Sequence, residues 1–344
     1  MAGPSGRWRA APAVRSRAPP NDLVGAKVVE NLSGRTVLVT GASSGLGLAV
    51  AGQLAGSGAR TLLGCRDADR AREAMERIRR VYPAARVEFL RVDLACLDSI
   101  EEAAAEIVDR AGELDVLVNN AGVMAPPQSH TADGFEIQIG TNHLGHFALT
   151  GHLLPLLLAA EAPRVVTVSS VLHRLAVRAE LTDFKILPRG SNWLGYARSK
   201  LANLLFAFEL DRRAHGRLCS LGAHPGFARS ELVARAEGGM RKVTGPVVRQ
   251  GIQILGQSPD QGARPILFAA TAKAALRAGA ARPTVRSEEV DVTGRRFFGP
   301  RGPGGLRGAP TMAGASALAG DPKLARELWE ASVEATGVRY AALG

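Results

Sequence analysis

The sequence predicts one doubly wound α/β domain on a seven-stranded parallel sheet, and three observations predict it. From Arg35 onward, short β-branched runs alternate with longer helix-period segments, the pattern of a parallel sheet covered on both faces. Each segment between strands is long enough for the helix that a parallel crossover requires. At 344 residues and 46% hydrophobic content the chain can bury a large core, and no internal repeat or linker divides it.

Strands are predicted at 36–40, 60–65, 86–92, 116–119, 164–169, 218–223 and 295–298. Amphipathic spacing predicts helices at 45–56, 68–81, 98–111, 133–159, 196–214 and 259–270. Asp321-Pro322-Lys323-Leu324 reads as a capped helix start, with Trp329 packing on the body or at an interface. The stretches 230–256 and 299–320, the second rich in Gly, Pro and Ala, read as loops over a site.

Composition excludes several classes. Part of the +11 net charge comes from Arg7, Arg9, Arg15 and Arg17 at the start and from Arg295, Arg296, Arg301 and Arg307. Neither group alternates with aromatics or carries a nucleic-acid motif, so no nucleic-acid partner is expected. Cys65, Cys96 and Cys219 are dispersed and odd in number, which argues against a disulfide framework or zinc site and fits a reducing cytoplasm. No run approaches the roughly 18 apolar residues of a membrane span. The first thirty residues have no apolar stretch of the secretory type, and they read as a disordered basic extension, with an organelle leader or an upstream start as alternatives.

The first strand runs into Thr40-Gly41-Ala42-Ser43-Ser44-Gly45-Leu46-Gly47 and then a helix. Gly41 allows the turn, Gly45 lets backbone approach a pyrophosphate, and Gly47 allows close helix packing; alternatively the glycines are incidental to a strand-to-helix turn. The amides and dipole of the helix start then attract the anion. A dinucleotide fold that prefers NAD usually ends its second strand in a carboxylate, whereas this strand ends Leu63-Gly64-Cys65-Arg66. The Arg66 guanidinium suits a ribose 2′-phosphate, so NADP(H) is favoured over NAD(H); alternatively Arg66 is solvated and Asp67 takes the ribose. In Val92-Asp93-Leu94, Asp93 either accepts from an adenine amino group or caps the next turn. The fourth strand leaves through Asn119-Asn120-Ala121-Gly122, a polar, small-residue turn.

At the other end, Tyr196 and Lys200 fall four apart in Tyr196-Ala197-Arg198-Ser199-Lys200, on one helix face. A phenol is a poor base at neutral pH, and a nearby ammonium favours its ionised form, so the pair can exchange a proton with an alcohol or carbonyl oxygen. Upstream, the fifth strand ends Val168-Ser169-Ser170, where a hydroxyl can donate to that oxygen or merely satisfy a turn. Asn142 is a polar residue in an apolar helix, placed to hold a water near Lys200, to bend the helix or to meet a partner. His143, His146, His173 and His224 match no zinc spacing and read as packing or hydrogen-bonding residues, so no metal is expected.

Together these motifs resemble the short-chain dehydrogenase/reductase family, in order over 35–298: the glycine loop, Asp93, Asn119 to Gly122, Asn142, the serine pair, the Tyr/Lys pair and His224-Pro225-Gly226. The most similar subgroup is retinol-dehydrogenase-like and related bacterial oxidoreductases, through Cys65-Arg66-Asp67, Asn142 to Phe147, Ser199 to Phe206 and Ala223 to Gly226. The resemblance implies a Rossmann-type catalytic domain over 31–300, with 301–344 packed on it as loop and helix. It implies catalytic Asn142, Ser170, Tyr196 and Lys200. Cofactor contacts would come from Gly41, Ser43, Ser44, Gly45, Leu46, Gly47, Arg66, Asp93, Leu94, Asn120, Ala121, Gly122, Tyr196, Lys200, Pro225 and Gly226. It further implies carbonyl/alcohol interconversion on a small molecule, and a homodimer or tetramer built on helices 133–159 and 196–214. A long insert between Ser170 and Tyr196 and no hydrophobic anchor in the first residues mark departures from many members. The competing reading is a redox-sensing or scaffold protein that binds NADP(H) with negligible turnover.

Overall fold

The computed structural model describes residues 29–178, 181–185, 192–227, 257–273, 275 and 296–343. The extension expected over 1–30 lies outside them up to residue 28, and the loop expected over 230–256 lies outside them entirely.

Strand alternation divides the core between two faces of one sheet. The strands are β1 (Thr36–Thr40), β2 (Arg60–Cys65), β3 (Arg86–Arg91), β4 (Val116–Asn119), β5 (Arg164–Val168), β6 (Cys219–Ala223), β7 (Phe297–Pro300) and β8 (Pro310–Met312). Within β1, Val37 and Val39 point to one face and Leu38 to the other, as the two-residue period demands. The first face is covered by α1 (Gly45–Gly56), α2 (Ala68–Val81) and α8 (Pro259–Thr271). The second is covered by α3 (Leu97–Arg110), α5 (Gly145–His152), α6 (Leu154–Ala159) and α7 (Asn192–Ala214).

The strand order is β3-β2-β1-β4-β5-β6-β7-β8. The chain winds outward from β1 to β3 and then crosses back to β4 on the other side of β1. The connections leaving β1 and β4 therefore diverge, which opens a crevice at their carboxyl ends.

Three expectations are corrected. The sheet has eight strands, not seven, because β8 pairs antiparallel with β7 inside the segment expected to be loop. Its three residues are too few for a periodic signal, and the glycines before it, with Gly304, Gly305 and Gly308 at φ 65°, 69° and 122°, turn the chain back onto β7. The helix expected over 133–159 is instead α4 (Ile137–Ile139), a π-helical turn (Gly140–Leu144), α5 and α6. Glu136 caps α4 by accepting the Gln138 and Ile139 amides, and Pro155, which has no amide to donate, starts α6. The helix carrying Tyr196 begins at Asn192, earlier than its apolar pattern shows.

The C-terminal helix α9 (Pro322–Thr336) starts where its signature places it, with the Asp321 carboxylate accepting the Lys323 and Leu324 amides. It lies along α7 and the π-turn. Trp329 stacks on Phe206 at 5.9 Å and meets Phe147 edge-on at 5.1 Å. Among the described residues no helix is long and apolar enough to cross a membrane.

Candidate active site

The glycine loop is built for backbone proximity. Gly41 and Gly45 have φ of 65° and 53°, which a side chain disfavours. A Cβ at Gly47 would collide with the Gly41 carbonyl oxygen and lie 2.6 Å from Asn120 Nδ2. Helix α1 therefore presses against the loop. Its N-cap Ser44 makes no side-chain capping bond and its first turn holds no acid, so the helix start faces outward with its positive end unneutralised by side chains. This cradle fits a pyrophosphate. Ser43 is turned away, its hydroxyl bonding the Cys65 sulfur, and burial pushes that thiol up to about 11. Leu46 packs against the core.

Beyond β2, the Asp67 carboxylate caps α2 by accepting the Asp69 and Arg70 amides at 3.0 and 3.1 Å. Both amides go to the same oxygen, Oδ1. Arg66 is 77% exposed, with Nη1 3.9 Å from Asp93 Oδ2. The other Asp93 oxygen accepts the Ala95 amide at 3.0 Å, closing the turn. Leu94 packs under Gly145 at the start of α5, where a Cβ would strike its carbonyl. Arg70 was not singled out by the sequence, yet its charge reaches Cys65 and so the same end of the cleft.

The exit of β4 is locked to β1. Asn120 and Ala121 donate their amides to Thr40 Oγ1 at 2.9 and 3.0 Å, and Asn120 Nδ2 donates to the Thr40 carbonyl at 2.8 Å. Gly122 must be small, since a Cβ there would sit 2.9 Å from Asn142 Oδ1 and 3.5 Å from Lys200 Nζ. Asn142, fully buried in the π-turn, accepts the Val123 amide at 2.7 Å and donates to the Val123 carbonyl and to Ser199 Oγ, both at 2.9 Å. The π-turn thus sets the Asn142 amide against Ser199 of α7.

Tyr196 and Lys200 face the same crevice. The Tyr196 hydroxyl hydrogen-bonds the Ser170 side chain, which lies just past β5. Lys200 Nζ sits 5.6 Å from the Tyr196 ring centre and donates to the Val168 carbonyl at 3.1 Å. Ser169 is turned into the protein, donating to the Lys200 carbonyl at 2.7 Å, so of the two serines Ser170 faces the tyrosine. Burial pushes the phenol up to about 12 against the pull of the Ser170 bond, and pushes the Lys200 ammonium down to about 8. Without a ligand, the phenol therefore holds its proton at neutral pH.

Gly226, at φ 68°, donates its amide to His224 Nδ1 at 3.2 Å, and the Pro225 carbonyl accepts from Gln257. A side chain at Gly226 would strike the Leu306 carbonyl, so this turn is pinned beneath the β7–β8 connection. The structure thus gathers Asn142, Ser170, Tyr196 and Lys200 at the carboxyl ends of β4 and β5, with the glycine loop beside them and Arg66 and Asp93 farther along. Thr40, which ties the β1 and β4 exits together, was missed; a threonine ending a strand carries no distinctive signal.

A profile of the short chain dehydrogenase family matches residues 35–180. The chain is 36% identical to human retinol dehydrogenase 13 over 313 residues, covering 89% of this chain and 86% of that protein. It is 42% identical to human retinol dehydrogenase 12 over 203 residues, 59% of this chain and 64% of that protein. Among solved structures, an uncharacterized protein from Mycobacterium paratuberculosis superposes with a TM-score of 0.67 at 37% identity, covering 91% of this chain and 97% of that one. A short chain dehydrogenase from Escherichia coli complexed with NADPH superposes with a TM-score of 0.57 at 26% identity, covering 72% of this chain and 95% of that one. On this similarity, joined to the motif order and the sheet, the chain belongs to the short-chain dehydrogenase/reductase family of oxidoreductases, in its retinol-dehydrogenase-like branch.

Proposed function

We propose that the protein is an NADP(H)-dependent oxidoreductase that interconverts a carbonyl and an alcohol, with Tyr196 as its acid/base. The observation that carries this reading is the meeting of the Tyr196 and Ser170 hydroxyls with the Lys200 ammonium beside them. When bound, the dinucleotide supplies or takes the hydride. The glycine loop and the start of α1 would hold its pyrophosphate, and Arg66, just past β2, favours a 2′-phosphate over a bare ribose through its charge and forked donors.

In the reducing direction, the Ser170 hydroxyl donates a hydrogen bond to the carbonyl oxygen and Tyr196 gives that oxygen its proton. Lys200 then offsets the negative charge left on the phenolate, in a site where burial strengthens the attraction. Asn142 fixes the back of the site through Ser199, whose hydroxyl in turn donates to the Tyr196 carbonyl at 2.8 Å. In the oxidising direction each proton moves the other way. The retinol dehydrogenases among its relatives point to a lipophilic aldehyde as the first class of substrate to test.

The test is a panel of decanal, acetophenone and retinaldehyde, followed by absorbance with NADPH and with NADH. Faster turnover with NADPH is expected, and the Tyr196→Phe variant should still bind NADPH while losing at least about a hundredfold in kcat. Full activity in that variant would remove Tyr196 from its role. Tight NADPH binding by the native protein with no turnover across the panel would favour the scaffold reading.

A further inference from the structure

Two histidines stand directly behind Asn142 and Ser170. His146 is the second residue of α5, four residues after Asn142, and His173 follows Ser170 by three in a short 3-10 turn (Val171–Leu175). Both are buried. His146 Nδ1 lies 2.9 Å from the Asn142 carbonyl oxygen, and His173 Nδ1 lies 2.6 Å from the Ser170 carbonyl oxygen. A carbonyl can only accept, so in both rings the proton is on Nδ1.

Each Nε2 is then a lone pair, and each meets a donor. Thr40 Oγ1 lies 2.9 Å from His146 Nε2, and the Ser316 amide donates to His173 Nε2 at 3.0 Å. The Thr40 hydroxyl proton points between His146 Nε2 at 2.9 Å and the Val118 carbonyl at 3.3 Å, while the same oxygen accepts the Asn120 and Ala121 amides on its lone pairs. Only the neutral Nδ1–H tautomer satisfies both ends of either ring. A protonated His173 would set Nε2–H against the Ser316 amide, and a protonated His146 would find both lone pairs of Thr40 Oγ1 already taken by the Asn120 and Ala121 amides.

We propose that His146 and His173 are positioning residues that hold Asn142 and Ser170 by their backbone carbonyls. Each ring is a rigid bridge. His146 ties the π-turn to the β1 exit, and His173 ties the serine turn to the C-terminal segment after β8. Neither ring touches the reacting atoms. Through His173, a residue 146 positions downstream of the serine helps set where the serine hydroxyl points. This inference rests on the reading of Ser170 and Asn142 given above.

Two isosteric replacements separate the ends of each ring. Asparagine places an amide nitrogen where Nδ1 is and keeps the bond to the carbonyl, whereas glutamine places its amide where Nε2 is and keeps only the far partner. His173→Asn and His146→Asn should retain kcat within about threefold, and His173→Gln and His146→Gln should lose about tenfold to hundredfold, as a displaced reacting group does. NADPH dissociation constants from fluorescence titration should stay within about twofold in the glutamine variants, placing the loss in kcat. Equal losses in the Asn and Gln variants, or no loss in the Gln variants, would overturn the proposal. So would glutamine variants that fail to fold, because the bonds would then serve the fold and not the chemistry. The native enzyme and Tyr196→Phe are assayed alongside with the best carbonyl of the panel, so an inactive native protein or an active Tyr196→Phe indicts the functional reading instead.

Discussion

Tyr196 and Lys200 occupy the same helix face, and burial moves their proton affinities in opposite directions, up to about 12 for the phenol and down to about 8 for the amine. The consequence is a pH dependence whose sign can be worked out. Below about 8 the amine is an ammonium and, in the proposed mechanism, would offset the phenolate left as Tyr196 gives up its proton. Above it that charge is gone while the phenol keeps its proton. The second-order rate constant kcat/KM for carbonyl reduction should therefore fall as pH rises through about 8, and Lys200→Arg, which stays charged, should shift the fall upward. A flat profile to pH 10 in the native enzyme would show that Lys200 is not the titrating group. At this scale the sequence was informative where spacing is mandatory: Gly41, Gly45, Gly47, Tyr196 and Lys200 were all legible. It was silent on Thr40, and it read the four histidines as packing or hydrogen-bonding residues without naming a partner, because which nitrogen of a buried imidazole carries the proton is decided by neighbours distant in the chain.

Element boundaries were legible wherever one periodicity ran unbroken between turn residues. Strands β1, β2 and β4 and helices α1 and α2 fall where their patterns put them, since each has a full apolar face and a glycine or polar stop. The apolar pattern over 133–159 hid three breaks, because the π-turn and the Pro155 junction leave hydrophobic residues on both sides and so look continuous. Strand β8 was invisible for the opposite reason: three residues carry no period. Helix α9 was legible at its start but not in its destination. Trp329 closes a cluster with Phe147, Phe206 and Tyr340 and lies under the Arg213 guanidinium at 4.6 Å. Trp329→Ala should lower stability by about 3–5 kcal/mol in urea titration, as emptying a packed aromatic site does. A loss under about 1 kcal/mol would mean that α9 is held by its ends instead.

For the molecule as a whole, α9 lies along α7 and meets Phe147 of α5 through Trp329. The buried histidines give the whole fold a second pH dependence. Burial lowers His143 to about 3, His146 to about 4 and His224 to about 4. Above about 6.5 folded and unfolded chains both carry neutral imidazoles; below it the unfolded chain takes up protons that the folded one refuses. Stability should drain as pH falls from about 6.5 toward 4, at up to roughly 1.4 kcal/mol per pH unit for each histidine. Urea midpoints at pH 7 and pH 5 measure it, and equal midpoints would contradict neutral burial.

The antiparallel strand β8 also decides how the molecule meets its own kind. An all-parallel sheet ending at β7 would expose the Phe297–Pro300 backbone as an unpaired rim, open to a strand from another chain. Strand β8 takes that rim, and it is short and begins with Pro310, which offers no amide to a newcomer. A three-residue strand thus makes this margin of the sheet a poor template for polymerisation.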